Sequence, residues 1–182
     1  MVKLRITKEA QLEQNLIELL CEGHGQWTYR PDLKSEADLW RNLRDKIENR
    51  NKSELDGHDL TDSEFERIKS EILASTKTPF DAAKWLRGEK GKCSIVLERD
   101  NGLGRIELVV YSSLEKNGGF SSYEIVNQIA KGRSKLEERE RRFDVTLLIS
   151  GLPIIQIELK TAIAKDGVKQ AYYQIEKYVD EG

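Results

Sequence analysis

Arg142-Phe143-Asp144-Val145-Thr146-Leu147-Leu148-Ile149-Ser150-Gly151-Leu152-Pro153-Ile154-Ile155-Gln156-Ile157-Glu158-Leu159-Lys160 is the stretch that decides the fold. Two apolar, β-branched runs flank Gly151, the pattern of two strands around a tight turn. A hairpin centred on Gly151 sets Asp144 opposite Glu158 and Thr146 opposite Gln156. Side chains alternate between faces along a strand. Phe143, Val145, Leu147 and Ile149 then share a face with Ile155, Ile157 and Leu159, an apolar row expected to be the core. The other face carries Asp144, Thr146, Gln156 and Glu158, with Lys160 just beyond. A slip of one residue would exchange the faces, so a clean apolar row opposite a polar one supports this register.

Carboxylates set against each other across a ladder repel. A divalent cation removes the penalty, and hard oxygen ligands with open positions for water and phosphate are what Mg²⁺ takes. A lysine one step away can orient an attacking water or stabilise charge developing on a phosphate. The same residues also suit a solvated sheet face with an ordinary Glu–Lys alternation, and the pattern by itself does not choose between the two.

Outward from the hairpin, Lys8–Glu22 reads as a helix with Leu12, Leu16, Leu19 and Leu20 recurring at helical steps. Gln26–Tyr29 is a short extended piece ended by Pro31. Residues 36–50 form a second amphipathic helix, and Asn49–Asp59 reads as a polar loop. Thr61 and Glu64 have capping-box spacing at the head of a third helix that carries Phe65, Ile68 and Ile72. Thr78-Pro79-Phe80 opens a fourth, short helix that Gly88 and Gly91 stop. Strands are expected at 93–97 and 106–111, around the turn Asp100–Gly104, and again at Glu124–Ile129. A charge run fills Lys131–Arg142, and Val168–Asp180 is a closing helix. The expectation is an α/β (α+β) domain with a mixed central sheet flanked by helices. One domain covers 1–182, with a helical insertion at about 36–88 and a core at about 93–180. No capping sequence follows Asp180, so the chain is expected to be a piece of a longer protein.

Composition narrows the functional classes. Among 182 residues, 30 basic and 32 acidic side chains leave a net charge of −2, so a whole-protein positive field for nucleic acid is absent. Contact with DNA would have to come from a local patch. Charged residues reach 34%, yet the apolar ones recur in periodic blocks, which argues against disorder. No apolar run is long enough for a membrane span, and no apolar stretch follows Met1–Arg5 as a secretory signal requires. Two cysteines make no disulfide framework, so a reducing cytoplasm is expected. Cys21 and His24 have ligand-like spacing but no second pair, which argues against structural zinc. Trp27, Trp40 and Trp85 sit at positions suited to the core.

Asp144…Glu158-Leu159-Lys160 resembles the PD-(D/E)xK nuclease signature, with Phe143 where that family often has proline. The longer run from Arg142-Phe143-Asp144 through Ser150-Gly151-Leu152-Pro153 to Ile157–Lys160 is similar to the N-terminal nuclease domain of type I restriction enzyme R subunits. Ser150 replaces the usual asparagine of the turn. Val126-Asn127-Gln128 resembles the Asn-Gln strand of that family, and Gln174…Tyr178 its Q-x-x-x-Y helix motif.

The resemblance implies a restriction-endonuclease-like core and Mg²⁺-dependent hydrolysis of DNA phosphodiester bonds. Asp144, Glu158 and Lys160 would be catalytic, with Asp144 and Glu158 on the metal. Glu13 of the first helix is the better candidate for a further metal ligand, ahead of Glu9. Gln174 and Tyr178 would contact DNA or support the site. The basic run Lys131–Arg142 either touches flanking phosphates or is a solvated segment. Partners would be double-stranded DNA and the methyltransferase and specificity subunits, with no membrane. ATP would serve only a motor outside this chain, because G-x-x-x-x-G-K-[ST] is absent from it. Two alternatives stay open: a free-standing nuclease of repair or mobile elements, and a non-catalytic DNA-binding or scaffold relative.

Overall fold

In the computed structural model, residues 8–22, 27–114, 121–131, 141–160 and 167–180 are described. The chain divides into two units, residues 1–39 with 123–182, and residues 40–122. Among the described residues no helix is long and apolar enough to cross a membrane.

The first unit is built on a four-stranded mixed sheet. Its strands are β1 (Thr28–Tyr29), β4 (Tyr123–Lys131), β5 (Arg141–Ile149) and β6 (Leu152–Ile157), in the order β1-β4-β5-β6. β1 runs parallel to β4, and the remaining pairs are antiparallel. Helix α1 (Lys8–Glu22) covers one face. Its Ile17 packs with Ile125, Val145 and Leu147, and Leu16, Leu20, Trp27, Tyr29, Ile157 and Leu159 close around them. The helix is rotated from its expected leucine stripe, since Ile17 is buried whereas Leu12 and Leu19 are exposed. Leu33 and Leu39 cover the opposite face, over Val126, Ile129 and Leu148. Burial on both faces explains why β4 and β5 carry consecutive apolar residues, Ile125-Val126 and Leu147-Leu148.

The hairpin keeps the expected register at the carboxylates by a different route. Its turn is the two-residue pair Ser150-Gly151, with φ of 53° and 82°, the mirror-image geometry that suits the twist of a hairpin. That turn pairs Ile149 with Leu152 and Leu148 with Pro153. A bulge then inserts Ile154, so that Leu147 pairs with Ile155, Thr146 with Gln156 and Val145 with Ile157. Pro153 cannot donate to the ladder, and a bulge on an outer strand is where a proline fits. The two faces differ from expectation in consequence. Ile155, expected in the core, is exposed on the edge strand β6, while Thr146 and Leu148, on the row read as polar, are buried, Leu148 beneath Leu33 and Leu39.

The second unit joins helices to a separate two-stranded sheet. Helix α2 (Glu36–Arg50) begins in the first unit and continues into this one, followed by α3 (Lys52–Leu55), α4 (Asp62–Ser75) and α5 (Pro79–Arg87). Strands β2 (Lys92–Glu98) and β3 (Arg105–Ser112) pair with each other. Cys93, Ile95, Leu97, Leu108 and Val110 form their buried face, against which α3, α4 and α5 lie. Two polar groups lock this unit. The expected capping box at Thr61 and Glu64 is present. Glu64 is fully buried and also accepts from Arg99 Nε at 2.8 Å and the Asp100 N–H at 2.7 Å. The Arg99 guanidinium and backbone donors outweigh the burial that would raise its pKa, and hold Glu64 below the usual carboxylate range. Asn49–Asp59 is not a plain polar loop. It holds α3, and buried Asn51 accepts from the Val109 N–H and donates to the Val109 carbonyl, as a neighbouring strand would.

Glu64→Ala would leave the Arg99 guanidinium buried without its partner. Such a change costs roughly 3–5 kcal/mol, and urea denaturation of the chain is expected to show a midpoint lowered accordingly.

Candidate active site

The site stands at the open end of the β5–β6 hairpin. Val145↔Ile157 is the last ladder pair, and the next residues are Asp144 and Glu158. β6 stops there because the Leu159 N–H turns to the Asp144 carboxylate, donating to Oδ2 at 2.8 Å. Asp144 thereby anchors the chain that presents Glu158 and Lys160. Glu158 is half-buried. Gln156 donates to its Oε1 at a long 3.4 Å, and its Oε2 is buried with no hydrogen-bond partner among the described residues. Burial pushes the Glu158 carboxyl above its ordinary pKa, the Asp144 charge pushes the same way, and Lys160 pulls it back. Asp144 and Lys160 are thus each within electrostatic reach of Glu158.

A buried acceptor without a donor, beside a second carboxylate, is an arrangement that a divalent cation satisfies. Asp144 and Glu158 are hard oxygen donors and fit Mg²⁺. Among the described residues no group of three or more His, Cys, Asp and Glu is gathered for a metal. Two protein carboxylates accord with Mg²⁺, which usually keeps waters and takes substrate phosphate oxygens for its remaining positions.

Glu13 lies on the α1 side, half-buried, one helical turn before Ile17. Its Oε1 accepts from Asn127 Nδ2 at 2.5 Å and its Oε2 from Gln128 Nε2 at 2.7 Å. Asn127 Oδ1 in turn accepts from Tyr29 OH at 2.9 Å and Lys34 Nζ at 2.6 Å. Burial and the nearby Glu13 charge raise the Tyr29 pKa. The structure therefore joins Glu13 to the Asn-Gln strand. Tyr29 and Lys34 are members that sequence reasoning missed, because nothing in their spacing ties them to Asn127 across the chain. Glu9 is exposed on α1. Gln174 and Tyr178 belong to α6 (Gly167–Asp180), and their side chains lie outside the described residues, as does the basic run at 132–140.

The raised Glu158 carboxyl has a definite sign in stability. The folded chain holds a proton there to higher pH than the unfolded chain, so stability falls as pH rises through the raised value. Glu158→Gln removes that slope. Thermal melts from pH 4 to 8 in chelator are expected to give the variant a higher Tm than wild type at the alkaline end. The difference should vanish at the acid end.

With this geometry in view, the likeness to known proteins is consistent along the chain. Residues 6–182 match the family model described as Type I restriction enzyme R protein N terminus (HSDR_N). The Type I restriction enzyme SsaAORF53P endonuclease subunit of Staphylococcus saprophyticus is 31% identical over 172 residues, covering 93% of this chain and 16% of that protein. The SauMSSORF170P endonuclease subunit of Staphylococcus aureus is 30% identical over 151 residues, covering 82% of this chain and 14% of that protein. The EcoprrI endonuclease subunit of Escherichia coli is 26% identical over 187 residues, covering 93% of this chain and 57% of that protein. The chain thus spans about a sixth of the staphylococcal subunits and somewhat over half of the Escherichia coli one. On a match that runs through the whole hairpin and both flanking helices, the chain belongs to the family of N-terminal domains of type I restriction enzyme R subunits.

Proposed function

We propose that this chain is the Mg²⁺-dependent DNA endonuclease domain of a type I restriction enzyme R subunit, one nuclease domain with a helical insertion at about 36–88. The observation that carries the reading is the buried Glu158 Oε2, without a hydrogen-bond partner among the described residues, beside Asp144 and Lys160 at the open end of the hairpin. A merely solvated Glu–Lys face would leave that oxygen in water.

Asp144 and Glu158 would hold Mg²⁺, which would supply Lewis acidity toward a phosphoryl oxygen and acidify a water for attack. Asp144 keeps its Oδ2 on the Leu159 N–H, so Oδ1 is the atom it offers. Glu158 offers Oε2. Lys160 donates to the attacking water or to the phosphate and stabilises charge as the P–O bond to the leaving sugar breaks. Glu13 is proposed as a further ligand from the α1 side; its oxygens are held by the Asn127 and Gln128 amides, and among the described residues it is not gathered with Asp144 and Glu158. Gln174 and Tyr178 contribute polar contacts to the DNA backbone. The substrate is double-stranded DNA, and the subunit works in the prokaryotic cytoplasm with methyltransferase and specificity subunits. ATP-driven translocation lies outside this chain.

The R subunit assembled with these partners tests the reading. Lys160→Ala is expected to lower cleavage by at least roughly 10²–10³-fold, the cost of losing one electrostatic contact to a transition state. ATP hydrolysis should persist. Full cleavage by Lys160→Ala would return the chain to the scaffold reading. Mg²⁺ at a hundredfold excess over its dissociation constant should stabilise wild type by about 2.7 kcal/mol and leave Asp144→Ala unshifted. Gln174→Ala and Tyr178→Ala should weaken cleavage only about threefold to twelvefold, the net value of one neutral hydrogen bond, with metal binding intact.

A further inference from the structure

Residues 84–92 run Lys84-Trp85-Leu86-Arg87-Gly88-Glu89-Lys90-Gly91-Lys92, four cations against the single carboxylate of Glu89. The chain as a whole carries a net charge of −2, so this segment is a local exception. The second unit folds it over the end of α5 and into β2. There Lys84, Arg87, Lys90 and Lys92, all exposed, line one cleft of about 1110 Å³ together with half-buried Trp85. Two further carboxylates line the cleft, and both are engaged. Glu107 lies 3.8 Å from Lys92 Nζ and accepts from Ser94 Oγ, while Asp81 accepts from the Thr78 hydroxyl at the head of α5. Lys84, Arg87 and Lys90 have no ion pair among the described residues.

The turn that carries Lys90 is held in an uncommon conformation. Gly88 ends α5 at φ 51°, its N–H donating to the Lys84 and Trp85 carbonyls, and a Cβ there would stand 2.0 Å from the Lys92 carbonyl oxygen. Glu89 and Lys92 then exchange backbone hydrogen bonds at 3.2 and 3.0 Å around Lys90-Gly91, with φ of 53° and 78°. This is a mirror-image two-residue turn, whose first central position favours Asn, Asp or Gly. A left-handed lysine is uncommon, and a residue kept there against its preference points to a use for its side chain.

The cleft exceeds the usual small-ligand pocket of about 300–1,000 Å³, and its walls are charged where such pockets are apolar. Exposed cations spread along it suit a polyanion of repeating charge, and DNA phosphates recur about every 3.4 Å along each strand. We propose that this cleft of the second unit is a sequence-independent contact for the phosphate backbone of double-stranded DNA, made by Lys84, Arg87 and Lys90. The proposal rests on the reading of DNA as the substrate. It gives these residues a share in holding the duplex and none in the chemistry.

The test follows binding of a short labelled DNA duplex to the chain in chelator, across a series of salt concentrations. Each phosphate contact contributes about 0.9 to the slope of log K against log salt. Lys90→Asn is expected to flatten the slope by about 0.9, and the triple variant Lys84→Gln, Arg87→Gln, Lys90→Asn by about 2.7. The losses should be equal on duplexes of unrelated sequence. Asparagine suits the left-handed position better than lysine, so the Tm of Lys90→Asn should hold or rise while its DNA binding falls. A drop in both would mark a structural lysine and overturn the role. An unchanged slope in the triple variant, as a patch for an acidic protein surface would give, overturns it too, as does a wild-type chain that binds no duplex. Lys160→Ala in the complete R subunit assembled with its partners separates the two readings. An inactive Lys160→Ala beside an unchanged triple-variant slope removes only the role of the cleft. Full cleavage by Lys160→Ala removes the cleavage site, while the slopes still decide the cleft.

Discussion

The pairing of Val145 with Ile157 governs the open end of the sheet. While it holds, Asp144 and Glu158 are neighbours, the Leu159 N–H finds the Asp144 carboxylate, and Lys160 follows on the same side. Were the strands to slip by one residue, the buried row of Val145 and Leu147 would face the other way, and the α1 core around Ile17 would lose its floor. The apolar core and the polar site are thus two faces of one register. Burial of Val145 and Leu147 supplies the free energy that keeps two repelling carboxylates in place.

That repulsion has a direction. Opposed carboxylates, one with an oxygen sealed from water, weaken the fold in the absence of a cation, because burial and a like charge both disfavour the ionised form. Glu64 shows the contrasting arrangement. It is more deeply buried than Glu158, yet an arginine and two backbone N–H groups meet its oxygens. Its pKa moves down where that of Glu158 moves up. The two glutamates are distinguished by how far their oxygens are met: both of Glu64's accept hydrogen bonds, whereas Glu158 Oε2, at the hairpin's open end, has no partner among the described residues.

Much of this was legible in the sequence because it rests on local rules. The helix spans of α1 and α2, the Thr61 cap, the start of α5 at Pro79 and the strand pair around Asp100–Gly104 follow from periodicity, capping and turn chemistry that act within a few residues. The register that leads to Asp144 opposite Glu158 is readable for the same reason, whereas the assignment of faces is not, since Thr146 is buried and Ile155 exposed. What escaped depended on distant contacts. Asn51 becomes a strand-edge partner only once Val109 lies beside it, and Tyr29 and Lys34 meet Asn127 only when β1 pairs with β4. The bulge at Ile154 was invisible because it cancels the offset of a shorter turn, so a reading with neither feature reaches the same register. The left-handed backbone of Gln128 in β4, at φ 53°, has no compositional mark at all, since glutamine carries no preference for it.

Pro153 and the extra residue beside it act on more than register. β6 is the outermost strand of the four, and it shows Ile154 and Ile155 to solvent. An outer strand that is flat and apolar invites a second sheet to zip onto it through its unpaired backbone groups. Here the edge lacks an N–H at Pro153 and is bent by the bulge, so an incoming strand would find the ladder interrupted two residues from its start. The kink that keeps the register at the carboxylates also breaks the outer hydrogen-bonding edge of β6.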